Sequence, residues 1–325
     1  GFRLTKHLTT PLFSSGDTYD PEGPKKSVVV PRLADTFNQL GIAPRRVKFL
    51  ASAIGGQAVA AKEIKTIQMT DEEMDSSLLL EARKHLPLDG SESIVDYQII
   101  GDDPTEPGKI RVLLVSATRK VFQSHVEMLR DVELRPGIVD IDQLAAINAY
   151  VTQNDLPDDG VIVSLHVGCK KTTLSCMGRR SFFFTRDVPI AGFAFTQELM
   201  TKYGLTYQQA EEVKMRQGLK PDLPLINAGD EAGLKLADKG ILDKLSDEIN
   251  RSLRYYIKES GESYFNNFLV TGGSAAMPGL IKHLEEKFNL PVTTYNPIQS
   301  FDSGNLDIQN GPQLAVAVGL ALRAE

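Results

Sequence analysis

The chain has 325 residues, of which 42% are hydrophobic and 24% charged, a composition typical of a globular protein with one large or two medium cores. The net charge of −6 lacks the basic excess that nucleic-acid-binding proteins usually carry. No apolar run approaches the roughly 18 residues that predict a membrane span. The two cysteines, Cys169 and Cys176, form no CxxC motif, which argues against a disulfide scaffold and a metal site. We therefore expect a cytoplasmic protein that binds no nucleic acid and meets a membrane only through a partner.

The first half predicts a helix over 27–40, followed by strands and helices in the order β-β-α-β-β-α. Apolar runs bounded by turn residues predict strands at 46–53, 57–67, 94–100 and 110–117. Gly55 and Gly56 predict a hairpin that joins the first two strands. Thr70 and Glu73 form a capping-box pattern, which predicts the start of a helix that ends near residue 85. An amphipathic helix over 120–132 completes the unit.

The second half repeats the plan of strands followed by helices. A strand at 137–141 and a helix at 144–151 lead to a polar linker at 154–160, where we place the main boundary. Beyond this linker, apolar runs predict strands at 161–167, 172–177 and 181–188, and apolar periodicity predicts helices at 195–203, 207–217, 237–258 and 314–322. The two halves together have the pattern of a duplicated α/β domain.

The stretch 267–296 predicts strand, glycine turn, helix and strand. Gly272 and Gly273 follow the short apolar run 268–270 and precede a helix that Pro278 opens. A glycine turn between a strand and a helix is a common place for a nucleotide in an open α/β sheet. The same glycines also suit a tight connection that binds nothing, so the spacing alone leaves both interpretations open.

Three segments in this order resemble the actin-like ATPase superfamily: 163–189, GLTYQQAEEVK at 204–214 and LVTGGSAAMPGL at 269–280. Two further segments, 81–100 and 112–150, resemble the PilM-type proteins of type IV pilus assembly, which are relatives of the division protein FtsA. The resemblance extends over nearly the whole chain. It implies an α/β, ribonuclease-H-like fold of two lobes with an FtsA/PilM-type extra subdomain.

The resemblance also implies a division of the chain. The first lobe would comprise 1–44 and 135–157, the extra subdomain 45–134, the second lobe 158–195 and 259–325, and a helical subdomain of that lobe 196–258. The family begins with a strand and a phosphate loop. Residues 1–4 align after that hairpin, so we expect either a truncated chain or one that lacks the loop.

In this superfamily ATP, with Mg²⁺, lies between the lobes. The resemblance places the second phosphate loop at Gly168, Lys170, Lys171 and Thr172. Glu211 and Lys214, together with Arg254, match the residues that contact the adenosine. Gly272 and Gly273 match the glycine turn beside the sugar and the α-phosphate. Lys170 and Lys171 also suit a solvated turn.

One position departs from the family pattern. His166 stands where an aspartate would hold a water bound to Mg²⁺, and imidazole is a poor ligand for this hard ion. Phosphoryl transfer depends on Mg²⁺ and on positioned water. We therefore assign no catalytic residue and no metal ligand, and do not expect efficient ATP hydrolysis.

The resemblance implies a scaffold of the pilus machinery at the inner membrane. In the family, a cleft between the first lobe and the extra subdomain captures the cytoplasmic N-terminal peptide of a membrane-anchored PilN-like partner, and self-association is a further expectation. The alternatives are an active ATPase or kinase of the superfamily, a type II secretion component, or an FtsA-like division protein.

Overall fold

The computed structural model describes residues 3–12, 26–84, 92–103, 105–224, 239–302 and 306–323. Its α-helices in these ranges are α1 (Lys26–Leu40), α2 (Asp71–Ala82), α3 (Arg119–Asp131), α4 (Asp142–Val151), α5 (Gly192–Tyr203), α6 (Tyr207–Gln217), α7 (Ile241–Ser260), α8 (Leu280–Phe288) and α9 (Ala315–Ala321). Its strands there are β1 (Ala51–Ile54), β2 (Val59–Ile67), β3 (Ser93–Asp102), β4 (Lys109–Thr118), β5 (Ile138–Ile141), β6 (Val161–Val167), β7 (Thr172–Met177), β8 (Phe184–Val188), β9 (Phe265–Thr271) and β10 (Val292–Thr294). Within the described residues, no helix is long and apolar enough to cross a membrane.

A five-stranded sheet forms the larger core, in the order β10-β9-β6-β7-β8. β6 pairs parallel with β9 and antiparallel with β7. All six residues of β7 are buried, which explains its continuous, non-alternating sequence. Helices α5, α7 and α8 cover one face of the sheet, where Phe195, Ile249 and Leu284 join the core. On the other face, Ile147 of α4 packs against Ile162 and Met177.

A smaller antiparallel sheet, β2-β4-β3, lies between two helices. Met74 and Leu78 of α2 pack against Val112 and Leu114 on one face. Val121 and Phe122 of α3 pack toward Ala117 on the other face, in a cluster that also contains Ile141 of β5. Helix α3 therefore contacts both this sheet and the neighbouring β1–β5 pair.

The predicted hairpin between 46–53 and 57–67 is wrong. β1 pairs in parallel with β5, from Ala51 opposite Ile138 to Ile54 opposite Ile141, whereas β2 pairs with β4. Gly55 instead allows the chain to pass close to α4, because a Cβ at this position would lie 2.0 Å from Oδ2 of Asp142. Residues 51–54 thus lie in a different sheet from the rest of the unit predicted over 45–134.

Most other predicted elements agree with the structure. β6, β7 and α6 have the predicted bounds, and capping boxes open α2 at Thr70 and α6 at Thr206. Helix α7 begins at Ile241, residues 239–240 are not helical, and the predicted start at 237 lies outside the described residues. Helix α2 ends at Ala82, and the predicted end near residue 85 lies outside the described residues.

Candidate functional site

A groove runs between α3 and the segment that leads into β5. Its volume is about 1300 Å³, and its apolar surface comes from Pro44, Val47, Phe122, Val126, Leu134 and Val139. The amphipathic pattern of α3 explains this surface: Leu129 is buried against α1, Phe122 packs toward β5, and Val126 stays half-buried on the open side. The groove therefore offers apolar contact that no described part of the chain fills.

Three arginines and one glutamate stand at the rim of this groove: Arg45, Arg130, Arg135 and Glu133. Arg45 donates a hydrogen bond to Glu133 across the surface. This hydrogen bond raises the pKa of Arg45 and lowers the pKa of Glu133. Since that pair is neutral overall, the exposed Arg130 and Arg135 leave the rim positively charged.

A second place of interest is the loop after β6. Gly168 accepts hydrogen bonds at its carbonyl from the amide of Gly192, at 3.0 Å, and from Oγ of Ser274, at 3.3 Å. Gly272 has φ of 92°, and a Cβ there would lie 2.4 Å from the carbonyl oxygen of Val167. The structure therefore brings the predicted residues Gly168 and Gly272, with its neighbour Gly273, together at the carboxyl ends of β6 and β9. This is where an open α/β sheet usually binds a ligand.

In the predicted phosphate loop, Lys171 forms ion pairs with two aspartates. Nζ of Lys171 lies 2.7 Å from Oδ2 of Asp187 and 3.6 Å from Oδ2 of Asp142. Oγ1 of Thr172 donates to the carbonyl of Ile190 at 2.7 Å, and Lys170 is exposed on the turn.

Lys214 and Glu211 of α6 form an ion pair on the side of the helix that faces α5. Nζ of Lys214 donates to Oε1 of Glu211 at 2.5 Å, to Oγ1 of Thr196 at 2.9 Å and to the carbonyl of Gly192 at 3.1 Å. Lys214 is buried, and these bonds use all three donors of its ammonium group. Arg254 lies on the exposed face of α7 and forms no ion pair with a described residue. The structure therefore connects Lys214 to the Gly168 loop through Gly192 but does not link Arg254 to it.

His166 lies on β6, and its Nδ1 is 3.1 Å from Oγ1 of Thr271. Burial and, to a smaller extent, nearby Lys171 lower the pKa of His166, Asp187 opposes both, and the resulting pKa is about 4. The imidazole is therefore neutral at pH 7. Among the described residues, no group of three or more His, Cys, Asp or Glu side chains is arranged to hold a metal ion.

Sequence reasoning missed Asp142 and Asp187, which enclose Lys171. Both lie in segments that carried the resemblance, and Asp142 occupies the first turn of α4, where a carboxylate suits the helix dipole. Burial raises the pKa of Asp142, and Lys171 opposes this shift. One ammonium between two carboxylates leaves no excess positive charge at Lys171 for a phosphate, whereas the neighbouring Lys170 is exposed. The charges of these side chains thus do not favour a metal-free nucleoside triphosphate as they stand, and ATP binding at the nine predicted positions stays a prediction.

The family of type IV pilus assembly proteins called PilM matches residues 30–325. The chain belongs to the PilM family. The solved PilM–PilN type IV pilus biogenesis complex is 20% identical, and the alignment covers 97% of this chain and 89% of that one with a TM-score of 0.75.

Two cell division proteins FtsA are also similar to this chain. The protein of Neisseria meningitidis serogroup B is 22% identical over 86% of this chain and 71% of its own length. The FtsA protein of Pseudomonas aeruginosa is 22% identical over 65% of this chain and 53% of its own length. The predicted actin-like fold with an FtsA/PilM-type subdomain is confirmed, while the division into segments stays a prediction.

Proposed function

We propose that this chain is a cytoplasmic scaffold of the pilus machinery and that its α3–β5 groove binds the N-terminal peptide of a PilN-like inner-membrane protein. The groove itself is the observation that carries the proposal. It lies between α3, which packs on the smaller sheet, and the segment that leads into β5. Its volume of about 1300 Å³ suits a peptide segment. A complex of PilM with PilN has been solved for a protein of similar fold, which supports this class of partner.

The groove would hold the peptide mainly through apolar contacts. Val126 and Val139 are half-buried on its surface, so apolar side chains of a peptide would remove them from water. Burial of apolar surface stabilises an interface by about 25 cal/mol per Å² before the cost of ordering the peptide is subtracted. The peptide would therefore carry apolar anchors.

The arginines at the rim would fix the orientation of the peptide. A guanidinium presents several N–H donors in one plane and binds carboxylates and carbonyl oxygens well. Arg130 and Arg135 keep the rim positively charged, because Glu133 balances the charge of Arg45. An acidic side chain or free carbonyl groups beside the apolar anchors would thus be favoured.

The first test is calorimetric titration of the synthetic N-terminal peptide of the PilN-like protein from the same organism into the full chain. Val126→Glu would place an unpaired charge against the apolar anchors, and we expect it to weaken binding at least about tenfold, which is about 1.4 kcal/mol. Ser124→Glu is the matched control, because Ser124 is exposed on the same helix and does not line the groove.

The control variant should bind as the unchanged protein does. If Val126→Glu bound the peptide as tightly as Ser124→Glu and the unchanged chain, the peptide would bind outside this groove. If the unchanged chain bound no peptide at all, the assignment of this partner would be wrong.

A further inference from the structure

One face of the smaller sheet is apolar at one end and charged at the other. Val59 and Ala61 of β2 pack in the cluster that contains Phe122 of α3 and Ile141 of β5. Glu63 lies two residues further along β2, so its side chain is on the same face. It is only 2% exposed. The face thus meets the rest of the molecule at two places, of which one is apolar and the other is ionic.

A buried ion pair forms the charged end. Oε1 and Oε2 of Glu63 accept hydrogen bonds from Nε and Nη2 of Arg111, at 2.5 and 2.9 Å. The pair also contacts the backbone just before β8. Glu63 accepts a hydrogen bond from the amide of Phe183 at 2.7 Å, and Arg111 donates one to the carbonyl of Ser181 at 2.9 Å. We call these four residues the sheet bridge.

The segment on the far side of the sheet bridge is held firmly. Phe182 and Phe184 pack against the core on one face of the five-stranded sheet. Phe183 packs on the other face, in the cluster of Ile162 and Met177. A segment anchored on both faces of a sheet cannot follow a movement of the smaller sheet. The bridge therefore ties the charged end of the smaller sheet to a fixed point.

The sheet bridge is a narrow contact. Two cavities adjoin it, with volumes of about 460 and 340 Å³, and Glu63 and Phe182 line both. Water can therefore reach the polar groups of the bridge when they separate. A buried ion pair adds little net stability, because desolvation offsets its attraction, but its directional hydrogen bonds favour one orientation of the parts that they join.

Phe122 connects this face of the sheet to the α3–β5 groove. Its side chain packs in the cluster that contains Val115 and Ala117 of β4, and it also lines the groove. Arg111 lies at the other end of the same strand. If the charged end moved away from 181–183, the sheet would turn about its apolar end, and the surface that supports Phe122 would turn with it.

We propose that Glu63 and Arg111 are positioning residues for the partner site, an inference that rests on the peptide site proposed above. The intact sheet bridge holds the Phe122 wall of the groove in the position that binds the peptide, and the bound peptide in turn keeps the bridge intact. Linkage makes the two effects equal, since the factor by which the bridge raises peptide affinity is the factor by which the peptide favours the bridge. An ion pair that served stability alone would not respond to the peptide.

The first measurement uses the free full chain and needs no peptide. Glu63→Gln keeps the shape of the side chain but removes the charge that holds Arg111. We expect amide hydrogen exchange at Phe183 to become at least about tenfold faster. We also expect the methyl NMR signals of Val126 and Val139 to shift, because both residues line the groove.

Glu106→Gln is the matched control. Glu106 forms ion pairs with Lys65 and Lys109 at the end of the same sheet but makes no contact in the sheet bridge. The same chemical change at this position should alter neither the exchange at Phe183 nor the two valine signals.

A second variant covers the case in which Glu63→Gln does not fold. The double change Glu63→Met with Arg111→Met replaces the ion pair by apolar side chains of similar size, which buried sites often tolerate. It removes the hydrogen bonds to Ser181 and Phe183, and it should shift the same valine signals.

The second measurement adds the N-terminal peptide of the PilN-like protein. The bridge variants should bind it about fivefold more weakly or worse, while Glu106→Gln binds it as the unchanged chain does. In the unchanged chain the bound peptide should slow amide exchange at Phe183, which lies outside the groove.

Unaltered valine signals in the folded double variant would overturn the proposal. So would peptide affinity that both bridge variants leave unchanged. If the unchanged chain bound no peptide, the assigned partner would be wrong, whereas the valine signals of the free protein would still decide whether the bridge positions the groove wall.

Discussion

His166 is neutral in the folded protein because burial outweighs the attraction of nearby Asp187. Its pKa is about 4 in the folded state, against 6.5 as its ordinary value. Between these values the unfolded chain binds more protons, so the free energy of unfolding falls as the pH drops from 6.5 toward 4. This side chain alone lowers stability by about 2 kcal/mol at pH 5 and about 3 kcal/mol below pH 4.

We expect His166→Asn, which keeps a polar partner for Thr271, to show a smaller loss of stability between pH 7 and pH 5 than the unchanged protein. Urea unfolding at the two pH values measures the difference, expected to be about 2 kcal/mol. Between pH 7 and pH 8 the two proteins should respond alike. Identical losses between pH 7 and pH 5 would show that His166 is protonated without penalty in the folded protein.

The sequence predicts which residues lie at the cleft better than it predicts which of them contact each other. Lys171 and Gly168 were expected beside a phosphate, and the backbone of Gly168 does meet the Gly272 turn. The contact of Lys171 with Asp142 joins the turn between β6 and β7 to α4, and no local pattern marks such a contact.

At the scale of elements, α4 and α9 pack unusually closely. A Cβ on Gly319 would lie 1.7 Å from the carbonyl oxygen of Ala145, and the carbonyl of Gly319 accepts a hydrogen bond from Asn148 at 2.7 Å. Any side chain at 319 must therefore push the two helices apart. This explains a glycine inside a helix, where it costs about 1 kcal/mol relative to alanine.

Gly319→Ala should destabilise the protein by about 1–3 kcal/mol, the usual cost of overpacking, despite the gain in helix propensity. Thermal or urea unfolding measures this change. Ala317→Ser is the control, since Ala317 is exposed on the same helix, and it should change stability little. A stabilising Gly319→Ala would mean that the helices separate without cost.

Element bounds were predictable where local signals decide them. Thr206 and Gln209 set the start of α6 through their capping box, and Gly218 follows its last residue. The partner of β1 was not predictable in this way, because a parallel strand pair joins segments far apart in the chain. Gly55 and Gly56 suit a hairpin as well as a close approach to α4, and tertiary packing decided between them.

Helix α4 and the five-stranded sheet meet at the Asp142–Lys171–Asp187 cluster, and this bears on nucleotide binding by the whole molecule. A triphosphate in the cleft would place its negative charge beside two carboxylates whose lysine is already paired. Repulsion between like charges at this distance opposes binding. The actin-like fold was predictable from the resemblance, whereas this charge balance required the structure.

We expect calorimetric titration of ATP, with and without Mg²⁺, to show no saturation up to about 1 mM. The apo protein and one already loaded with the PilN-like peptide should behave alike. Micromolar binding of MgATP would show that the cluster rearranges, and it would support an ATP-dependent scaffold instead.

Residues 55–137 connect two strands, β1 and β5, that lie side by side. The polypeptide therefore leaves this strand pair and returns to it at adjacent points, and α3 is the last described helix before its return. An inserted unit attached in this way can be exchanged or remodelled during evolution while the surrounding sheet keeps its order. The proposed partner groove uses α3 of this unit, so its surface can change while the pairing of β1 with β5 is kept.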